Sequence, residues 1–139
     1  MNDTSSKLKS FNPIFGTNHK FNGWMDYFYV GNHINSVGLT DIYATFAYSK
    51  NKFSAKLVPH FFSSAASIYS GGIKQNNNLG TEIDFTLGYK ASKDIVLSSG
   101  YSRMFGTKSL EVIKGGDSSR NNSWAWLMVT VKPTLFASK

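Results

Sequence analysis

Five stretches of this chain alternate between apolar and polar side chains, and nothing else in the sequence restricts the fold as much. In GTEIDFTLGYKASKDIVLSSGYSRMF (80–105), Ile83, Phe85, Leu87 and Tyr89 fall on one side, and Glu82, Asp84, Thr86, Gly88 and Lys90 on the other. KASKD turns the chain, and Ile95, Leu97 and Tyr101 then repeat the pattern against Ser98, Gly100 and Ser102. A period of two is that of a pleated strand, whose successive side chains point to opposite faces. The same rhythm marks strands over 39–49, 52–66, 79–90, 94–106 and 122–136, and helical spacing organises none of them better.

The connections sort by length. The first strand meets the second, and the third the fourth, through about three residues, whereas roughly 67–78 and 107–121 form long connections. In an antiparallel meander this puts every short turn at one end and every long loop at the other, as in bacterial outer-membrane barrels. Runs of ten to fifteen residues exceed the five or six usual in globular sheets and suit a tilted crossing of the hydrocarbon layer. One face of each strand is apolar through its middle. Tyr48, Tyr89 and Phe136 near the short turns, and Phe61 and Tyr101 nearer the long loops, resemble two aromatic girdles. Pro59 cannot donate to a strand ladder and predicts a bulge or an edge in the second strand.

Composition agrees with this reading. Charged residues make up 17% of the 139, against about 25% in soluble domains, and aromatics 15%. The absence of cysteine excludes a disulfide framework and thiolate zinc sites. The net charge of +7 is scattered through loops rather than gathered on a helix, which argues against nucleic acid as a partner. No run of eighteen apolar residues is present, and the start, MNDTSSKLKS, is polar and without the apolar stretch of a secretory signal.

The expectation is an all-β fold: a transmembrane antiparallel β-barrel meander at 39–136, preceded by an extracellular loop region at 1–38 and followed by a short tail at 137–139. Within the loop region, WMDYFYV (24–30) is aromatic without clean alternation, either a short strand or a loop packed on its own rings. Asp41, Lys56, His60, Glu82, Asp84 and Lys90 would line the lumen, shaping a solute path or pairing to keep the interior wet. His60 shares a face with Ser64, but nothing supplies an oxyanion hole, so no catalytic residues are assigned. His19, His33 and His60 are spaced too irregularly for a metal site, and no cofactor is expected. Gly71-Gly72 and Gly115-Gly116 read as flexible points in long loops. Lys7, Lys9, Lys20, Lys74, Lys108, Lys114 and Arg120 fall on the predicted outer side, where they would meet lipopolysaccharide or attract an anionic polymer.

The segments FNPIFGTNHKFNGWMDYF (11–28), GLTDIYATFAYS (38–49), KFSAKLVPHFF (52–62), LGTEIDFTLGYKASKDIVLSSGYSRMFG (79–106) and WAWLMVTVKP (124–133) resemble the C-terminal part of alginate-export family outer-membrane porins of Bacteroidetes type. The resemblance implies a barrel of about eighteen strands in a Gram-negative outer membrane, and the passage of hydrophilic, anionic or polysaccharide solutes. It also implies that the last strand ends in the periplasm. The ending departs from the family's terminal aromatic, since Ala137, Ser138 and Lys139 follow Phe136. Five strands cannot close such a barrel. The chain therefore reads as the last strands of a larger barrel, as a unit completed by self-association, or as a small barrel that recruits 11–30 as extra strands. The alternative function is a non-transport β-sheet module, binding or structural, at the cell surface.

Overall fold

The computed structural model describes residues 19–33 and 36–136. The polar start, Lys7, Lys9, the 11–18 part of any added strands and the 137–139 tail lie outside them. The chain forms α1 (Val30–His33), β1 (Thr40–Tyr43), β2 (Phe46–Lys50), β3 (Phe53–Ser63), β4 (Tyr69–Ser70), β5 (Ile73–Lys74), β6 (Asn78–Lys90), β7 (Ile95–Gly106), α2 (Lys108–Lys114) and β8 (Asn122–Val131). One antiparallel sheet runs β1–β3–β6–β7–β8, with β2 also on β3, and β4–β5 is a separate small ribbon. The all-β, antiparallel expectation therefore holds. Among the described residues the sheet is open, with free edges at β1/β2 and β8.

β1 and β2 are one expected strand, broken at Ala44-Thr45, and Pro59 is the reason. Ala44 donates its N–H to the Pro59 carbonyl at 3.3 Å, so the backbone of Pro59 faces that strand. Lacking an N–H, Pro59 returns no bond, and the ladder opens opposite it. The defect lands on the neighbour, while β3 itself pairs continuously with β6 through Pro59↔Ile83. The irregularity in β3 comes later, at Phe62/Ser63, where β6 carries the extra residue Leu79. Gly80 takes φ +141 there, and a Cβ on it would run into the Phe105 carbonyl oxygen. The bulge turns Leu79 inward, fully buried.

The turns follow from their residues. Asn51 (φ +54) supplies the positive φ of the two-residue turn between β2 and β3. Gly71 and Gly72 (φ +56 and +80) form the β4–β5 turn, and Gly115 (φ +74) ends α2, so these glycines hold defined turn geometry rather than acting as loose points. Thr107 caps α2 by accepting from Leu110 N–H and donates its own hydroxyl to Asn78 O at 2.6 Å. β8 stops at Val131, earlier than the alternation suggests: Lys132 N–H still bonds Asp94 O, but Pro133 has no donor to continue.

The core lies at the long-loop end of the sheet. Phe28, Phe62, Ile68, Leu79, Met104 and Leu110 are buried together, with Met25, Tyr27, Val37, Leu39 and Ile113 packed around them. It sits on the side that carries Glu82 and Asp84. Among the described residues nothing covers the opposite side: Phe53, Leu57, Phe61, Phe85, Leu87, Leu97, Tyr101, Leu127 and Val129 are all exposed.

Candidate functional site

The registers give the polar face its layout. His60 aligns with Glu82 and Met104, Val58 with Asp84, Ser102 and Trp124, and Lys56 with Thr86, Gly100 and Trp126. Asp41 and Tyr43 join from β1, opposite Phe62 and His60. Four of the expected lining residues thereby converge. His60 Nδ1 lies 2.9 Å from Asp41 Oδ2, and its Nε2 lies 3.7 Å from Asp84 Oδ2. Ser102 donates its hydroxyl to Asp84 Oδ1 at 2.5 Å. Glu82, from the next row, is fully buried, and its Oε2 has no partner among the described residues. Lys56 stands one row below the cluster. Lys90 stands apart at the short-turn end, exposed, where its backbone N–H bonds Lys52 O.

What buries the acids is residues 19–33, a strap laid across the polar face. Trp24 N–H donates to Asp84 Oδ2 at 3.2 Å and Met25 N–H to Glu82 Oε1 at 2.8 Å. Bonds from main-chain N–H groups to carboxylates are charge-assisted and among the stronger hydrogen bonds. The strap coils tightly enough to present both groups because His19, Asn22, Gly23 and Asp26 all have positive φ, a region that Asn, Asp, His and Gly enter most readily. Asp26 closes the coil by accepting from His19 N–H at 2.8 Å. Gly23 lies so close that a Cβ there would come within 2.7 Å of the Glu82 carboxyl carbon.

Aromatic contacts extend the docking. Trp24 stacks on Trp126 at 5.6 Å and His19 on Trp124 at 5.1 Å. Lys56 Nζ sits 5.3 Å from the centroid of Trp24, a cation–π contact. Tyr27 hydroxyl meets Asn122 Nδ2, and Lys114 Nζ donates to Asn32 O at 2.6 Å. The 24–30 stretch is thus neither a strand nor a loop closed on itself, and no strand occurs within 19–30. Residues absent from the expected lining carry much of the site: Ser102, Trp126 and the main-chain N–H groups of Trp24 and Met25. Ser102 and Trp126 could have been found from their parity on the polar side; main-chain donors leave no trace in side-chain identity.

Both ring nitrogens of His60 face carboxylates, and among the described residues no serine hydroxyl bonds to it. Ser64 is buried, and its hydroxyl has no partner among the described residues. The three histidines stay apart, and among the described residues no group of three or more His, Asp or Glu could hold a metal ion. No described helix is long and apolar enough to cross a membrane. The arrangement defines a class: an open antiparallel sheet with an acidic, strapped face and a bare apolar one. No family model, no curated protein and no solved structure matches the chain.

Proposed function

We propose that this sheet is a stretch of wall of a transmembrane β-barrel in a bacterial outer membrane, and that the barrel passes hydrophilic solutes, anionic or polysaccharide in kind. The carrying observation is the inverted burial. Phe53 is 64% exposed and Leu127 79%, while Glu82 is 0% and Asp84 1%. A soluble monomer rarely leaves a contiguous apolar patch of more than a few hundred Å² in water; acyl chains would cover this one at no such cost. The strand lengths support the same reading. β3, β6, β7 and β8 have 11, 13, 12 and 10 residues, and a tilted crossing takes about 9–11.

In this reading the face with Asp41, Lys56, His60, Glu82 and Asp84 looks into a hydrated interior. The strap narrows that interior at the long-loop end, and Lys90 belongs to the short-turn mouth. The free edges of β1/β2 and β8 take up further strands, since unpaired backbone groups in lipid cost several kcal/mol each. The chain would stand to the alginate-export porins as their C-terminal portion.

The test exploits the absence of native cysteine. Phe85→Cys and Leu97→Cys, spin-labelled in reconstituted vesicles, should be relaxed by oxygen dissolved in lipid and shielded from a water-soluble nickel chelate. The opposite ranking at both positions would sink the membrane reading. A chain that stays in the clear lysate with its apolar face on a partner protein would instead be the surface-module alternative. Reconstituted protein with labels in lipid should also conduct ions across planar bilayers.

A further inference from the structure

We propose that the short-turn rim of the sheet is a binding site for an anionic phospholipid in the leaflet that meets it. This rests on the membrane reading above. Lys50, Lys52, Lys90, Lys93 and Lys132 all lie at this end, all exposed, against one acid among the described residues, Asp94. Asp94 is only 3.9 Å from Lys93 and neutralises none of the others. The long-loop end is different in kind: its cations are interleaved with acids, as in Lys108–Glu111 and Arg120–Asp117.

The strand registers place an acyl-chain seat beside these lysines. Lys50 is paired with Phe53, and that row continues on the bare face through Tyr89, Leu97 and Val129. Phe53 and Tyr89 pack ring against ring at 4.7 Å. The next row inward is Tyr48, Ala55, Leu87, Ser99 and Leu127. Its two small side chains, Ala55 and Ser99, sit among bulky ones, so the face dips there. The dip is an apolar hollow of about 290 Å³ lined by Tyr48, Phe53, Leu87, Tyr89, Leu97 and Leu127. A chain in the hollow leaves its glycerophosphate level with the aromatic pair and the lysine rim. Clusters of lysine at a membrane surface attract anionic headgroups additively, and compact ammonium groups on flexible stems suit a phosphate whose position varies.

The experiment uses the full chain in phosphatidylcholine vesicles, with Ala91→Cys in the β6–β7 turn carrying a bimane. Quenching by doxyl-labelled phosphatidylglycerol is compared with quenching by doxyl-labelled phosphatidylcholine. Phosphatidylglycerol should associate about fivefold or more in preference, the effect of roughly one lysine at a membrane surface. The preference should fall toward one in a Lys50→Gln/Lys52→Gln/Lys90→Gln/Lys93→Gln variant whose sheet signal in circular dichroism is unchanged. It should persist in Lys74→Gln/Lys108→Gln, which alters the other end. Equal quenching by the two lipids, or a preference that survives in the four-lysine variant, overturns the site while leaving insertion intact. Loss of the preference on adding millimolar inorganic phosphate also overturns it, in favour of a soluble anion. Quenching by neither lipid removes the membrane reading and the site together.

Discussion

The two faces of this sheet share every strand and differ in how they satisfy their side chains. On the polar face, carboxylates receive main-chain donors from a strap laid over them, and a serine hydroxyl and an imidazole from neighbouring strands of the sheet. On the other face, Phe, Leu and Tyr side chains stand exposed, touching surface neighbours such as Phe53 against Tyr89 and Arg103 over Phe105. A protein folding in water normally does the reverse, because burial of apolar area is its main source of stability. The contrast teaches that the buried side combines a strapped acidic cluster with a hydrophobic core at the long-loop end, whereas the apolar side is left exposed among the described residues; in the proposed membrane reading, acyl chains would cover it.

The largest expected effect comes from charging the bare face. Phe85 lies mid-strand, flanked by Leu57 and Tyr101 in its row. Phe85→Arg should destabilise vesicle-folded protein by about 2–4 kcal/mol, the cost of an arginine at the bilayer midplane. Ser54→Arg, exposed on the polar face near the short turns, should cost under about 1 kcal/mol, as for an arginine near a wet surface. The readout is reversible unfolding in urea, monitored by the tryptophans. Equal effects at the two positions would erase the distinction between the faces.

Much of the sheet was legible in the sequence and almost none of the strap was. Period-two alternation reports which side a residue faces, so β3, β6 and β7 fall within about three residues of their expected bounds and the lining residues share one side. Pro59 was recognised as a defect, but its consequence depends on which neighbour its backbone faces, and only pairing decides that. The strap was opaque because its order arises from main-chain donors reaching acids 57 and 60 residues away. α2 was missed for a different reason. Seven residues are too few to show a helical period against the polar loop around them, although Thr107 ahead of them was an available capping signal.

An intermediate effect should come from lifting the strap without touching the wall. Gly23 has φ +83, and an added Cβ meets the Glu82 carboxyl. Gly23→Ala should therefore weaken docking by about 1–3 kcal/mol, the usual cost of holding an L-residue in a disfavoured backbone region. Amide exchange at Trp24 and Met25 should quicken by roughly tenfold or more, while amides at Phe85 and Leu97 keep their protection. If the strap narrows a pore, single-channel conductance rises in the same variant. Unchanged exchange at Trp24 would mean that the wall does not depend on that close approach to bury its acids.

The smallest effect is a pH dependence confined to the strap. His33 closes its C-terminal end, with Nε2 3.2 Å from Gly38 O and its ring edge-on to Phe28. A carbonyl only accepts, so Nε2 carries the proton, and Nδ1 is buried without a partner among the described residues. A second proton would sit on that nitrogen with nothing to receive its N–H and with Lys114 nearby. Burial holds the imidazole below its ordinary value of 6.5; the Gly38 hydrogen bond opposes it in part, and the Lys114 charge adds the smallest push downward. As pH falls below about 6.5 the released strap takes up a proton that the docked strap refuses, so docking weakens through that window and levels off once the docked form also protonates. Exchange of the Asn32 and His33 amides should accelerate relative to their intrinsic rates between pH 6.5 and 5, with β6 and β7 unaffected. His33→Gln should flatten that profile; a profile that persists without the imidazole would move the sensitivity from the end of the strap to the acids beneath it.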